Sequence, residues 1–278
     1  MKKIILFSLS LFIITACTTT KLAYDYGDKF VSWQLDSYFE LTDEQEDFVE
    51  ELMKIHLDWH RAEELPRYKR FLTDIQSRGE DGLTMSELDE GFSRFETKQR
   101  RTFERLIPDA ALFLTKLSAE QINNLERKMT EKNEEILEKV EDRQESIQEQ
   151  REEFLEEMED WFGEFDSVQL LQINKWQTEW YTETSEPNER RIDYRLKSQA
   201  QILALLRSFP DKLTFEKWLS DWTRSWGRKM NSARDARILR NKERILQVDK
   251  FITPEQRLHA IRELDDWVGI LEEIITNH

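Results

Sequence analysis

Glycine, proline and cysteine are scarce in this sequence, at 7, 5 and 1 of 278 residues. Average usage would supply about 33 glycines and prolines together, so a fold that needs many tight turns is disfavoured. Sandwiches, barrels and Rossmann-type enzymes with glycine-rich phosphate loops fit poorly. A single cysteine forms no disulfide within the chain. Four histidines leave little material for a metal centre, and the P-loop, G-x-S-x-G and H-E-x-x-H patterns are absent. The longest apolar run, Ile4 to Ile14, is interrupted only by Ser8 and Ser10. Crossing a bilayer takes about 20 apolar residues, which this run does not reach.

What the chain has in quantity is charge. Asp and Glu number 57 against 41 Lys and Arg, for a net of −16. That balance argues against nucleic acid as a partner, and the basic stretch 224–244 is too small to reverse it. Helix formers dominate, and the composition predicts an all-α protein. The length allows one elongated or two compact units.

The first sixteen residues read as an address. Lys2 and Lys3 precede the apolar run, which has the length of a signal-peptide core. Ile14-Thr15-Ala16-Cys17 follows and resembles the lipobox of bacterial lipoproteins. That resemblance implies cleavage after residue 16 and a covalent lipid on Cys17. It implies a short tether, 17–25, ahead of a helical domain, 26–278. Stable anchoring takes more than one acyl chain, which a multiply acylated cysteine supplies. Thr18 stands where an aspartate would suggest retention at the inner membrane. The expected location is therefore the periplasmic face of the outer membrane. Loss of Lys2 and Lys3 makes the mature chain more acidic still.

Helix starts recur along the domain. Thr42, Thr84, Ser118, Asp166 and Thr253 are capping residues, each with Glu or Gln three positions on: Gln45, Glu87, Gln121, Gln169 and Gln256. This is the capping box or its aspartate variant. Pro254 suits the first helical position, and Thr214 reads as a sixth start. Apolar staples are expected between Leu83 and Leu88, Leu117 and Ile122, Phe165 and Leu170, and Leu213 and Trp218. Loops are expected around Pro108, Pro187 and Pro210. No breaker stands between Ser118 and Gly163, which predicts one helix of about 45 residues and ~65 Å. Its thin apolar seam suits packing along one neighbour, as in a coiled coil. The starts at 42, 84 and 118 match those at 166, 214 and 253, which suggests two diverged three-helix halves, 26–161 and 162–278.

Two clusters are candidates for function. His56, His60 and Glu64 fall on one helical face, a zinc half-site in spacing. No fourth ligand is marked, so a structural role is the reading preferred over metal binding, and no catalytic residue or cofactor is assigned. Trp218, Trp222 and Trp226 repeat at four-residue steps beside Arg224 and Arg228. Such a ladder packs a core or opens as a binding surface.

Two segments carry a further resemblance. Leu41-Thr42-Asp43-Glu44-Gln45 and Trp59-His60-Arg61-Ala62-Glu63-Glu64-Leu65-Pro66-Arg67-Tyr68, with the lipobox and the closing Ile252-Thr253-Pro254-Glu255-Gln256-Arg257, resemble an uncharacterised family of helical bacterial lipoproteins. The L-T-x-x-Q starts are also similar to those of periplasmic chaperones and envelope-stress regulators. The resemblance implies a membrane-anchored periplasmic scaffold or chaperone-like binder with an envelope protein as partner. The alternative is a metal-dependent or carboxylate hydrolase acting on envelope polymers.

Overall fold

The computed structural model describes residues 24–141, 143–184, 188–225 and 231–276. Cys17, the signal segment, Pro187, Trp226 and Arg228 lie outside the described residues. In order come α1 (Gly27–Phe39), α2 (Asp43–Trp59), a π turn (His60–Glu64), α3 (Leu65–Gly79), α4 (Met85–Leu114) and α5 (Ala119–Glu141). Then follow α6 (Arg143–Phe162), α7 (Ser167–Thr184), α8 (Asn188–Arg207), α9 (Lys212–Ser225), α10 (Asn231–Asp249) and α11 (Pro254–Thr276). No strand occurs among the described residues, and the protein is all-α as its composition requires. No described helix is long and apolar enough to cross a membrane.

All five capping boxes form. Thr42 accepts from Gln45 N while Gln45 accepts from Thr42 N, and the exchange repeats at Thr84/Glu87, Ser118/Gln121, Asp166/Gln169 and Thr253/Gln256. The sixth start is different. Asp211 is the cap, accepting from Thr214 N at 2.8 Å, so α9 begins before Thr214. Leu213 consequently falls inside the first turn and is exposed rather than stapled to Trp218. An aspartate directly after Pro210 outcompetes the threonine because its carboxylate also meets the positive end of the helix dipole.

Two prolines sit within helical runs. Pro108 lies inside α4 and not in a loop. Its ring removes one backbone hydrogen bond, a cost of about 3 kcal/mol, but Ile107, Ala111 and Phe113 around it are buried and their packing offsets the loss. Pro66 follows the π turn, where Leu65 N donates to His60 O five residues back. The widened turn lets the chain continue through a proline, and residues 43–79 form one helical run of 37 residues. The stretch expected as a single long helix comprises α5 and α6, and residue 142 between them lies outside the described residues.

Each long helix of the first part packs against an element of the second. Phe39, Val49, Phe113, Leu117 and Ile122 share a core with Leu203 and Leu206 of α8 and Phe215 of α9. Leu65 of α3 shares another with Ile270, Leu271 and Ile274 of α11. Met158, Phe165, Ile173, Trp176 and Val248 make a third, joining α6, α7 and α10. Trp176 stacks on Trp180 at 5.6 Å and meets Phe251 edge-on at 4.7 Å. This tryptophan step is core.

Four of the five box residues are glutamines, and the structure pairs them. Gln45 and Gln121 exchange side-chain bonds, Nε2 to Oε1, at 3.2 and 2.6 Å. Gln45 Nε2 also donates to Lys116 O, and Gln121 Nε2 to Glu40 O. Gln169 and Gln256 repeat the exchange at 2.8 and 3.2 Å, and Gln256 Nε2 donates to Glu164 O. All three carbonyls lie two residues before a cap. The helices entering these clasps, α1 and α6, both end in left-handed residues, Glu40 at φ 52° and Gly163 at φ 73°. Gln45, Gln121 and Gln256 therefore each cap their own helix with the amide oxygen and tie a neighbouring loop with the nitrogen, while Gln169 caps its helix and donates to Gln256. Glu87, whose box faces solvent, takes part in no such pair.

Candidate functional site

The π turn gathers the most unusual side chains. A π turn adds one residue to the helical repeat and is common at functional sites; here it rotates Glu64 inward. Glu64 is fully buried. Arg101 of α4 brings its Nε to 2.8 Å from Glu64 Oε1, and Arg67 Nε stands at 3.7 Å. Neither carboxylate oxygen accepts an aligned hydrogen bond among the described residues, so the charge is balanced by cations rather than by donors. Arg101 also donates to Glu63 Oε2 at 2.9 Å. Arg101 and Arg105 both lie over the Trp59 ring, at 6.0 and 5.5 Å.

His60 occupies the opposite side of the turn. The Tyr24 hydroxyl and His60 Nδ1 share a hydrogen bond. Tyr24, Trp59 and Tyr68 surround the imidazole at 5.8–6.2 Å between ring centres. Arg61 lies over Tyr24 at 5.4 Å and pairs with Asp58 at 3.1 Å. His56 turns elsewhere, with Nε2 2.8 Å from Asp109 on α4. The three candidate ligands thus serve three different partners. Among the described residues, no three His, Cys, Asp or Glu side chains gather as a metal site.

Burial sets the protonation of this cluster. It holds the His60 imidazole below the ordinary histidine range and raises the Tyr24 phenol. Tyr68 is also raised, by burial first and then by the nearby Glu64 charge. Both ends of the pH scale should register. Below the ordinary histidine value of about 6.5, the unfolded chain binds a proton that folded His60 resists, so stability should fall with falling pH. Above about 10 the unfolded chain ionises a tyrosine that folded Tyr24 keeps protonated, and stability should fall again. Urea midpoints against pH for wild type and His60→Asn check the acid limb. The variant should lose part of the slope between pH 6.5 and 5.

A second feature is a partly open pocket among the helices. Ile75, Phe92, Phe154, Trp180, Ile245 and Leu264, from six helices, line a cavity of about 490 Å³. Its volume is in the range of ligand pockets, which are mostly apolar with a few polar groups. The polar groups here are Asn241, Arg244, Asp249 and Arg257. Arg244 lies over Trp180 at 4.9 Å and donates to its carbonyl. Asp249 pairs with Arg257 at 2.5 Å and accepts from Leu83 N. A wider polar groove, between α3 and the end of α11, is crossed by the Lys69–Glu272 pair at 3.0 Å.

Of the tryptophan ladder, Trp218 and Trp222 stack with ring centres 6.2 Å apart. Trp222 is 40% exposed, and Arg224 stands 3.8 Å from Asp221. The sequence reading missed both the apolar pocket and the paired glutamines. The first had no local signal, because its lining comes from six separate helices. The second had one: glutamine rather than glutamate at four of the five box positions.

These features define an all-helical protein with a buried charge cluster and an apolar pocket. The sequence pattern of a family of unknown function, DUF6279, matches residues 37–244. The chain belongs to that family. No curated protein and no solved structure is similar enough to match.

Proposed function

We propose that this protein is a lipid-anchored lipoprotein of the bacterial envelope that acts by binding, as a scaffold or chaperone-like adaptor. The acylated Cys17 holds it at the periplasmic face of the outer membrane, and an envelope protein is its partner. The apolar cavity carries the binding part of this reading. It has the size for an apolar side-chain cluster or a single chain, and a few polar groups line it. The recurrence of the glutamine clasp supports reading the domain as two related halves, with the cavity bounded by helices of both. The hydrolase alternative lacks a reacting pair, because His56, His60 and Glu64 are each committed to a partner within the fold.

Two experiments bear on this. Cys17→Ser should move the protein from the membrane to the soluble fraction of the envelope; persistence in the membrane counts against the lipid. A photo-crosslinking amino acid at Phe92, on the cavity wall, should give one dominant adduct in cells. That adduct should vanish when Ile245→Arg places a charge in the cavity. No adduct at Phe92, or one that ignores Ile245→Arg, removes the cavity from the account.

A further inference from the structure

Helix α1 and its N-cap residue Tyr26 expose three aromatic side chains. Tyr26, Phe30 and Trp33 are 57%, 48% and 63% exposed; Phe30 and Trp33, three apart, share a helical face, and Tyr26 caps the turn that leads into it, its carbonyl accepting from Phe30 N. Phe30 and Trp33 touch, with ring centres 6.0 Å apart. Lys29 shares the exposed face. The opposite face is fixed against the body: Gly27 approaches Leu57, Asp28 pairs with Lys54 at 3.5 Å, and Ser32 and Phe39 are buried. The stripe is therefore held outward by packing and is not a loose terminus.

The same face of α6 is its opposite in character. Aligning the two helices by their left-handed ends, Glu40 and Gly163, sets α6 positions 123 residues further on. There Tyr26, Lys29, Phe30 and Trp33 correspond to Glu149, Glu152, Glu153 and Glu156, all exposed. A face that elsewhere in the fold is four glutamates is aromatic and basic only on the helix nearest Cys17. Tyr26 is nine chain steps from Cys17, a reach of at most about 30 Å. Tyrosine and tryptophan favour the boundary between lipid headgroups and acyl chains, where one end of the ring is dry and the other wet.

We propose that α1 seats its Tyr26–Phe30–Trp33 face in the headgroup boundary of the membrane that carries the lipid. The tether then delivers the body to the bilayer and α1 sets its orientation. The acidic α6 face, which an anionic surface repels, is held in water. This inference rests on acylation of Cys17, and the test separates the two.

Lys29→Cys and its counterpart Glu152→Cys keep all three aromatics, and each is labelled with a polarity-sensitive dye. The lipidated proteins are reconstituted in vesicles of phosphatidylethanolamine and phosphatidylglycerol, some bearing a nitroxide near the top of the acyl chain. The dye at 29 should be quenched at least about fivefold more strongly by the nitroxide than the dye at 152. Changing Phe30 and Trp33 to serine in the Lys29→Cys background should abolish the difference while the protein still floats with the vesicles. Flotation with both dyes equally open to water overturns the seating and leaves the tether standing. Failure to float overturns the tether and, with it, the seating. Shielding at 29 that grows with protein concentration in the absence of vesicles assigns the face to a second copy, and the membrane proposal fails.

Discussion

Replacing Gln121 with glutamate is expected to destabilise the fold by about 3 kcal/mol. The substitution is nearly isosteric and keeps the capping oxygen on Ser118 N. A helix start judged alone would be unaffected or slightly improved, since a carboxylate suits the positive end of the dipole. The clasp reverses that sign. Gln121 Nε2 donates to both Glu40 O and Gln45 Oε1, and a carboxylate turns both contacts into facing acceptors. Its burial raises its pKa, so the deficit should be complete above the folded value and shrink as pH falls toward the ordinary glutamate value of about 4.3. Gln256→Glu should behave alike through Glu164 O and Gln169 Oε1. Urea unfolding of both variants at pH 7 and pH 4.5 measures this. A loss below about 0.5 kcal/mol at pH 7 would mean the paired amides are incidental.

Arg101→Met is expected to cost about 3 kcal/mol, the lower end for breaking a buried pair, because Arg101 itself is half-exposed and water screens part of its charge. The penalty lies on the other partner, since Glu64 has no solvent exposure and no aligned donor. It follows that Glu64→Met should restore most of the loss when combined with Arg101→Met, since two apolar chains of similar volume leave no charge behind. The comparison is a double-mutant cycle in urea midpoints, and a coupling under about 0.5 kcal/mol would dismiss the pair as a surface contact.

The sequence was most legible where a few adjacent residues decide the outcome. Capping boxes involve four consecutive positions and a fixed geometry, and all five formed as read. Pro108 was misread because a proline's local cost was weighed without the buried Ile107, Ala111 and Phe113 that offset it. Thr214 was misread for a smaller reason: Asp211, three residues earlier, is the stronger cap. The π turn was invisible, since nothing in a helical repeat announces one extra residue, and it moved Glu64 off the His56–His60 face that regular spacing assigned to it.

The candidate site shows the same division. The segment from Trp59 to Tyr68 stood out as a motif, and it does form the buried charge cluster. Its partners did not stand out, because Tyr24, Arg101 and Arg105 lie more than thirty positions away, and the two arginines look like any surface residue in so charged a chain. The stretch from Tyr24 to Phe39 is visibly aromatic-rich in the sequence, with Tyr24, Tyr26, Phe30, Trp33, Tyr38 and Phe39. Its direction was not legible, because a helix of that composition packs equally well inward, and only Gly27 against Leu57 and Asp28 with Lys54 fix which side faces out.

Intact-mass measurement of the native protein extracted from membranes tests the account most directly. The account predicts a chain beginning at Cys17 that carries a diacylglycerol and, on its amine, a further acyl chain. A mass matching an unmodified amino terminus on a protein recovered entirely from the soluble fraction would contradict it.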